Sequence, residues 1–405
     1  MNTRAMAAEI LLRITDHGAY SNVLLPKATG GLRRGDRAFV YSLVMGALRR
    51  LRTIDAIVAE VTGRTPEQLD AEVRGVLEVA IGELMEAEAE AVYATVNESV
   101  EAVKQLGAPR ASGLVNGALR TLVRDGMPEL AGDKARELSV PEWVLGKLTA
   151  DHGRPAARSL LGGLRLGAPA IGIRVRPGAQ PPVGATPVPG IPGAYTVSRL
   201  PDDLTGLVVS DPSSTAVAHA LAARVGERVL DMTAAPGGKT SALWDATAGR
   251  IALVACDRHP RRLRSARARL DGLGVLPQWV VGDGVHAPFG DELFDAVLLD
   301  APCTGLGTLR RRPEIAMRLK PATLDTLADQ QQALLREAWR VTRPGGRIVY
   351  SVCTMFAAET VAVVDDYPAE APTGVPGEHW GKGVLLAPHL TDTDGMFVSV
   401  IRRPG

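Results

Sequence analysis

Apolar positions recur at helical spacing through the first third of the chain, and the period predicts helices near residues 3–15, 37–52, 69–85, 92–106 and 112–124. Gly63, Pro66 and the run Gly107-Ala108-Pro109 break the pattern between them. Residues 1–127 therefore read as an all-α bundle. The texture changes after Pro128: a short helical piece around Pro141-Glu142-Trp143 leads into a Pro/Gly-rich stretch, 176–193, that no long packed helix can cross. Short apolar runs at 170–175 and 195–197 predict strands, so 128–201 reads as a small connecting α/β subdomain. From residue 202 to the end, strand-like and helix-like runs alternate. A helix at 213–224 precedes apolar runs at 228–230, 251–256, 278–281, 294–299 and 347–351, and 384–386 with 396–401 forms a closing pair, the last antiparallel. Such alternation predicts a Rossmann-like α/β domain, a seven-stranded, mostly parallel sheet covered on both faces.

Composition adds little to this division and removes several function classes. A chain of 405 residues suggests two or three domains at roughly 150 residues each. The charged N-terminus and the absence of an apolar run near ~18 residues argue against a signal peptide or a membrane partner, so a cytoplasmic location is expected. Three cysteines without paired zinc-ligand spacing predict free thiols and no metal site. The net charge is only +1, yet arginines cluster at Arg49-Arg50-Leu51-Arg52, along 258–269 and at Arg310-Arg311-Arg312. Local patches of this kind attract a polyanion, and solvated helix faces account for each one equally well.

The candidate chemistry is concentrated after residue 230. DMTAAPGGKT, 231–240, ends a strand, turns on Pro236-Gly237-Gly238 and opens a helix, which presents bare backbone at the carboxyl edge of a parallel sheet. Thr233 stands where a P-loop needs its first glycine, and the Gly-x-Gly-x-x-Gly fingerprint is missing. A cofactor with ribose and adenine but no phosphate fits, and S-adenosylmethionine (SAM) is the common one. Three strands end in acids. Asp257 falls twenty residues past Gly237, where a nucleotide fold places an acid on ribose hydroxyls, and Asp283 is placed to accept from an adenine amino group.

Asp300-Ala301-Pro302-Cys303 and Tyr350-Ser351-Val352-Cys353-Thr354 follow strands expected to be neighbours, ~4.8 Å apart, so both thiols should face one cleft. Cys256, inside a strand, reads as a small buried hydrophobe. A thiol beside a methyl donor suits methylation of a carbon that must first be made nucleophilic. Position 5 of cytosine is such a carbon: a thiolate adds at position 6 and later leaves, with Asp300 holding the base at N3 and N4.

The segments SLVMGALRRLRTID, VNESVEAVKQLG and GLVNGALRTLVR resemble the RNA-binding NusB domain, which is also found fused to certain ribosomal RNA methyltransferases; Arg49, Arg50 and Arg120 lie in the matching stretches. DMTAAPGGKT, DAPCTGLGTLRRRPE and YSVCTM are similar to the RNA cytosine-5 methyltransferases and, with that front end, to the RsmB/Sun branch acting on small-subunit ribosomal RNA. The resemblance implies Cys353 as nucleophile, Cys303 as the release cysteine, and SAM contacts from Thr233, Ala234, Ala235, Pro236, Gly237, Gly238, Lys239, Asp257 and Asp283, with Asp300 where cofactor and base meet. It places Arg312-Pro313 in the loop shaping the RNA pocket, and the chain is expected to act as a monomer. The chain departs from the family's usual wording at Val352-Cys353-Thr354 (Thr-Cys-Ser), at Ala357-Ala358-Glu359-Thr360 (Pro-Glu-Glu-Asn) and at Thr233, where a cysteine is common. Two other readings stay open: a methyltransferase of the same ancestry acting on a small molecule, and an RNA-binding factor whose catalytic core is silent.

Overall fold

The computed structural model describes residues 2–86, 89–129, 138–165, 167 and 169–405. Two compact units emerge, Met1–Lys147 with Arg311–Leu319, and Leu148–Arg310 with Lys320–Gly405.

The first unit is helical: α1 (Thr3–Thr15), α2 (Ser21–Ala28), α3 (Arg34–Arg49), α4 (Leu51–Thr62), α5 (Ala71–Leu84), α6 (Ala89–Gln105) and α7 (Ser112–Asp125). Asn2 caps α1 by accepting from Arg4 N–H at 2.8 Å, and Gly63 ends α4 at φ 66, the left-handed conformation that glycine adopts without strain. α5 is buried along most of its length, and small residues let its neighbours close in: a Cβ on Gly82 would lie 3.2 Å from Ala47 Cα of α3. Leu11, Ile14, Ile54, Ile57, Leu77, Ile81 and Leu119 fill the core, each contributing about 1.5–3 kcal/mol by leaving water. The expected helix over 37–52 is instead two, because the backbone departs from helical geometry at Arg50 (φ −119) and redirects the chain into α4.

Arg311–Leu319 belongs to this unit by its contacts. Glu314, fully buried, accepts from both the N–H and the hydroxyl of Ser21 at 3.2 and 2.9 Å. In the helical turn α8 (Ile315–Arg318), Met317 packs on the bundle core, and Arg318 lies 4.3 Å over the Tyr20 ring and donates to Ala19 O.

Helices Glu142–His152 and Arg154–Arg165 precede β1 (Ile171–Val175), β2 (Thr186–Pro187), β3 (Ala194–Val197) and β4 (Leu207–Val209), which form an antiparallel sheet of the second unit in the order β2-β3-β1-β4. After α9 (Pro212–Ala220) comes the large sheet. Its strands β5 (Arg228–Asp231), β6 (Ala252–Asp257), β7 (Gln278–Val281), β8 (Phe294–Asp300) and β9 (Thr342–Val352) are mutually parallel, with α10 (Gly238–Ala246), α11 (Pro260–Asp271) and α12 (Pro321–Val341) between them. β10 (Ala369–Glu370), β11 (Glu378–Trp380), β12 (Gly383–Leu386) and β13 (Met396–Arg402) complete it antiparallel. All seven expected strands are present, and the short β10 and β11 bring the sheet to nine. Its order is β11-β12-β13-β9-β8-β5-β6-β7, with β10 on β13. The chain therefore winds outward from β5 through β6 to β7, then returns to lay β8 on the other side of β5. The strand order reverses between β5 and β8, and open α/β sheets bind ligands at such a reversal, beyond the carboxyl ends of the strands.

Candidate active site

The glycine turn lies at that reversal. Gly237 has φ 92, and a Cβ there would also meet Leu270 Cδ1 at 2.9 Å, so only glycine lets the loop pass under α11. The loop is held by its backbone: Ala234 N–H donates to Cys256 O at 2.8 Å, Ala235 N–H to Asp257 Oδ2 at 3.1 Å, and Thr233 Oγ1 to Asp300 O at 2.9 Å. Arg262 donates to Ala235 O at 2.7 Å and Arg269 to Pro236 O. The Ala235-Pro236 bond is cis.

The three expected acids stand at three strand ends on one edge of the sheet. Asp257, nearly buried, accepts from the loop through one oxygen and from His259 N–H through the other, at 2.8 Å. Asp283 follows β7, is exposed, and caps the next turn by accepting from Val285 N–H. Asp300 ends β8, where Oδ2 accepts from Lys239 Nζ at 2.8 Å and Oδ1 from the Ser351 hydroxyl at 3.0 Å. A fourth acid, Asp231 at the end of β5, is 1% exposed and bound by the Thr240 hydroxyl at 2.6 Å. Burial pushes its carboxyl up to about 7. Its ladder position was legible in the sequence; its burial was not.

Lys239, on the first turn of α10, sits over Asp300 and 3.4 Å from Ser214 Oγ. Burial pulls its ammonium down, but the Asp300 carboxylate outweighs burial and the result is a raised pKa. The lysine that imitates a phosphate-binding motif is thus neutralised by an acid.

The two cysteines meet across the β8/β9 boundary. Asp300 and Ser351 are register partners, so the turns that follow them run side by side, and Cys303 Sγ lies 3.3 Å from Cys353 Sγ. Both are free thiols and partly exposed. The hydrogen bond with Cys353, together with burial, pushes the Cys303 thiol well above its ordinary range. Backbone bonds lock the turns together: Ala301 N–H donates to Ser351 O and Gly307 N–H to Cys353 O, each at 2.9 Å. Cys256 is fully buried in β6, and burial pushes its thiol up to about 12.

The other expected residues are more dispersed. In the helical unit Arg120 is exposed, Arg49 is half-buried, and Arg50 is held by Glu86 at 2.5 Å. Arg312 is exposed and Pro313 buried. Among the described residues no helix is long and apolar enough to cross a membrane.

A Rossmann-like sheet with a glycine turn at its switch point, acids on its strand ends and a helical bundle before it defines a nucleotide-cofactor-binding α/β protein with an appended helical domain. Residues 218–402 match the family model described as 16S rRNA methyltransferase RsmB/F, and residues 1–124 match the NusB family. Ribosomal RNA small subunit methyltransferase B of Thermus thermophilus is 34% identical, with 99% of this chain and 97% of the relative covered. The protein of the same name from Xanthomonas campestris is 31% identical over 99% and 97%. The crystal structure of PH0851 shares the fold, with a TM-score of 0.81 at 20% identity over 100% of this chain and 99% of that one. The chain belongs to the RsmB/F family of SAM-dependent ribosomal RNA methyltransferases.

Proposed function

We propose that the protein methylates C5 of a cytosine in small-subunit ribosomal RNA through a covalent bond between Cys353 and C6 of the base. The observation that carries this reading is the pair of sulfurs 3.3 Å apart beside the Asp300 carboxyl.

The residues fit the cofactor. Carboxylates at strand ends accept from ribose hydroxyls and amines but repel phosphate, and the Gly237 turn leaves backbone bare beside them. Thr233 through Gly238 would cradle SAM, Asp257 its ribose and Asp283 its adenine; bound there, SAM supplies an electrophilic methyl group. Asp300 holds the base at N3 and N4, oriented by Lys239 and Ser351. The Cys353 thiolate adds its electron pair to C6, which makes C5 nucleophilic toward the methyl group. A base then removes the C5 proton, the C5–C6 double bond re-forms, and Cys353 leaves with its bonding electrons. Cys303, in contact with that sulfur, serves the release step. The exposed Arg120 and Arg312 are assigned to RNA contact, with the buried Pro313 shaping their loop; the half-buried Arg49 is assigned with them, and Arg50 only if it leaves Glu86. The reaction as written needs no second copy of the chain.

Incubation with labelled SAM, ribosomal subunits, total RNA and a small-molecule extract tests this directly, with bisulfite sequencing to map 5-methylcytosine. The expected outcome is one labelled cytosine in small-subunit RNA. Label in the small-molecule fraction alone, or in no fraction, would contradict it.

A further inference from the structure

Behind the two thiols lies a buried polar cluster to which the reaction above assigns no role. Glu359, in a 3-10 turn after β9, is fully buried. Its Oε1 accepts from the backbone N–H of Thr304 at 2.8 Å and from Gln331 Nε2 at 3.0 Å, while Oε2 accepts from the Thr304 hydroxyl at 2.5 Å. Burial raises the Glu359 carboxyl above its ordinary value, and the donors from Thr304 and Gln331 act against that shift by stabilising the carboxylate. Gln331 also donates to Pro302 O at 2.8 Å, the residue before Cys303. The Thr304 and Thr354 hydroxyls are 2.9 Å apart, and Tyr350 donates to Glu359 O at 2.7 Å. Thr304 follows Cys303 and Thr354 follows Cys353, so one carboxylate ties together the residues next to both sulfurs.

The charges around the pair are asymmetric. Glu359 acts on the Cys303 side, where its charge adds to the Cys353 hydrogen bond and to burial in disfavouring an anion. On the Cys353 side stands the Lys239 ammonium, itself held by Asp300, with Asp231 beneath. Two equivalent thiols in contact would share one negative charge between them; these two are not equivalent.

We propose that Glu359 is a positioning residue of the two-thiol site: its carboxylate clamps the turn carrying Cys303 onto the turn carrying Cys353, and its charge disfavours a thiolate at Cys303. The inference rests on Cys353 being the nucleophile.

The test is thiol alkylation without RNA. Full-length protein is treated with limiting iodoacetamide across a pH series, and the modified cysteines are quantified by peptide mass spectrometry. Wild type should alkylate at Cys353 well before Cys303. In Glu359→Gln the preference should shrink and the Cys303 pH midpoint fall, while methyl transfer drops roughly 100-fold from misplacement of the sulfurs, with SAM affinity unchanged. Wild-type selectivity and midpoint in a folded Glu359→Gln would overturn the proposal. Should that variant not fold, Thr354→Val keeps the shape and removes only the bridging hydroxyl. It should lower turnover and Cys353 selectivity together, and wild-type values for both would equally overturn the proposal. The alkylation readout needs no substrate, so it is separable from failure of the cytosine assignment, which shows as methyl transfer surviving Cys353→Ala.

Discussion

Asp231, Asp257, Asp283 and Asp300 occupy equivalent places in the sequence pattern, each at or just past the end of a strand, yet the structure gives them different chemistry. Asp283 is exposed, Asp257 braces the loop, Asp300 carries a lysine, and Asp231 is buried beneath the others with its carboxyl near 7. Its ordinary value is 3.8, so from about pH 4 to about pH 7 the folded protein binds a proton that the unfolded chain has released. Stability should fall as pH rises through that window and level off above it. Asp231→Asn removes this slope, and urea midpoints at pH 5 and pH 8 should differ less in the variant than in wild type. An equal difference in both would show that Asp231 ionises freely in the fold. Position on a strand end was readable from the sequence because periodicity and punctuation encode it. The ranking of the acids was not, because it depends on packing by residues distant in the chain, such as Lys239 over Asp300.

Elements with strong periodicity were readable almost to the residue: α1, α7 and β5 to β8 coincide closely with the pattern in the sequence, while β9 begins at Thr342, before the expected 347–351. Elements without it were missed. α2 is eight residues with Pro26 inside, too short and too exposed to print a helical stripe, and β10 and β11 are two- and three-residue edge pieces that exist only because β13 and β12 offer them partners. The turns carrying the cysteines depend on a contact invisible in sequence. Gly307 N–H donates to Cys353 O, Gly307 O accepts from Gly395 N–H at 2.9 Å, and a Cβ on Gly307 would fall 2.0 Å from Gly395 O. Gly307→Ala should therefore push the Cys303 turn off Gly395 and strain its bond to Cys353 O, lowering both thermal stability and methyl transfer while the glycine loop still binds SAM. Wild-type turnover in this variant would mean that the turns are not held by that contact.

At the scale of the whole molecule, the sequence divides near residue 127, whereas the folded units exchange a segment: Arg311–Leu319, nearly two hundred residues past that point, belongs by its contacts to the helical unit. The signal was hidden because its partners lie far away in the chain: the buried acid Glu314 meets Ser21 293 residues away, and Arg318 meets Tyr20 and Ala19. Glu314→Ala would leave the Ser21 N–H and hydroxyl buried without an acceptor, and a loss of about 1–3 kcal/mol in urea unfolding is expected. A change near zero would show that the segment is not held there. The net charge of +1 says nothing of such an arrangement, since the acids and bases that matter are paired inside each unit.

The account depends most on the sulfur of Cys353 bonding to the substrate base and the sulfur of Cys303 freeing it. Cys303→Ala, incubated with SAM and small-subunit RNA and run on a denaturing gel, measures this. The expected result is an RNA–protein band that survives denaturation and is lost when Cys353→Ala is added. Turnover at the wild-type rate with no such band would contradict the mechanism.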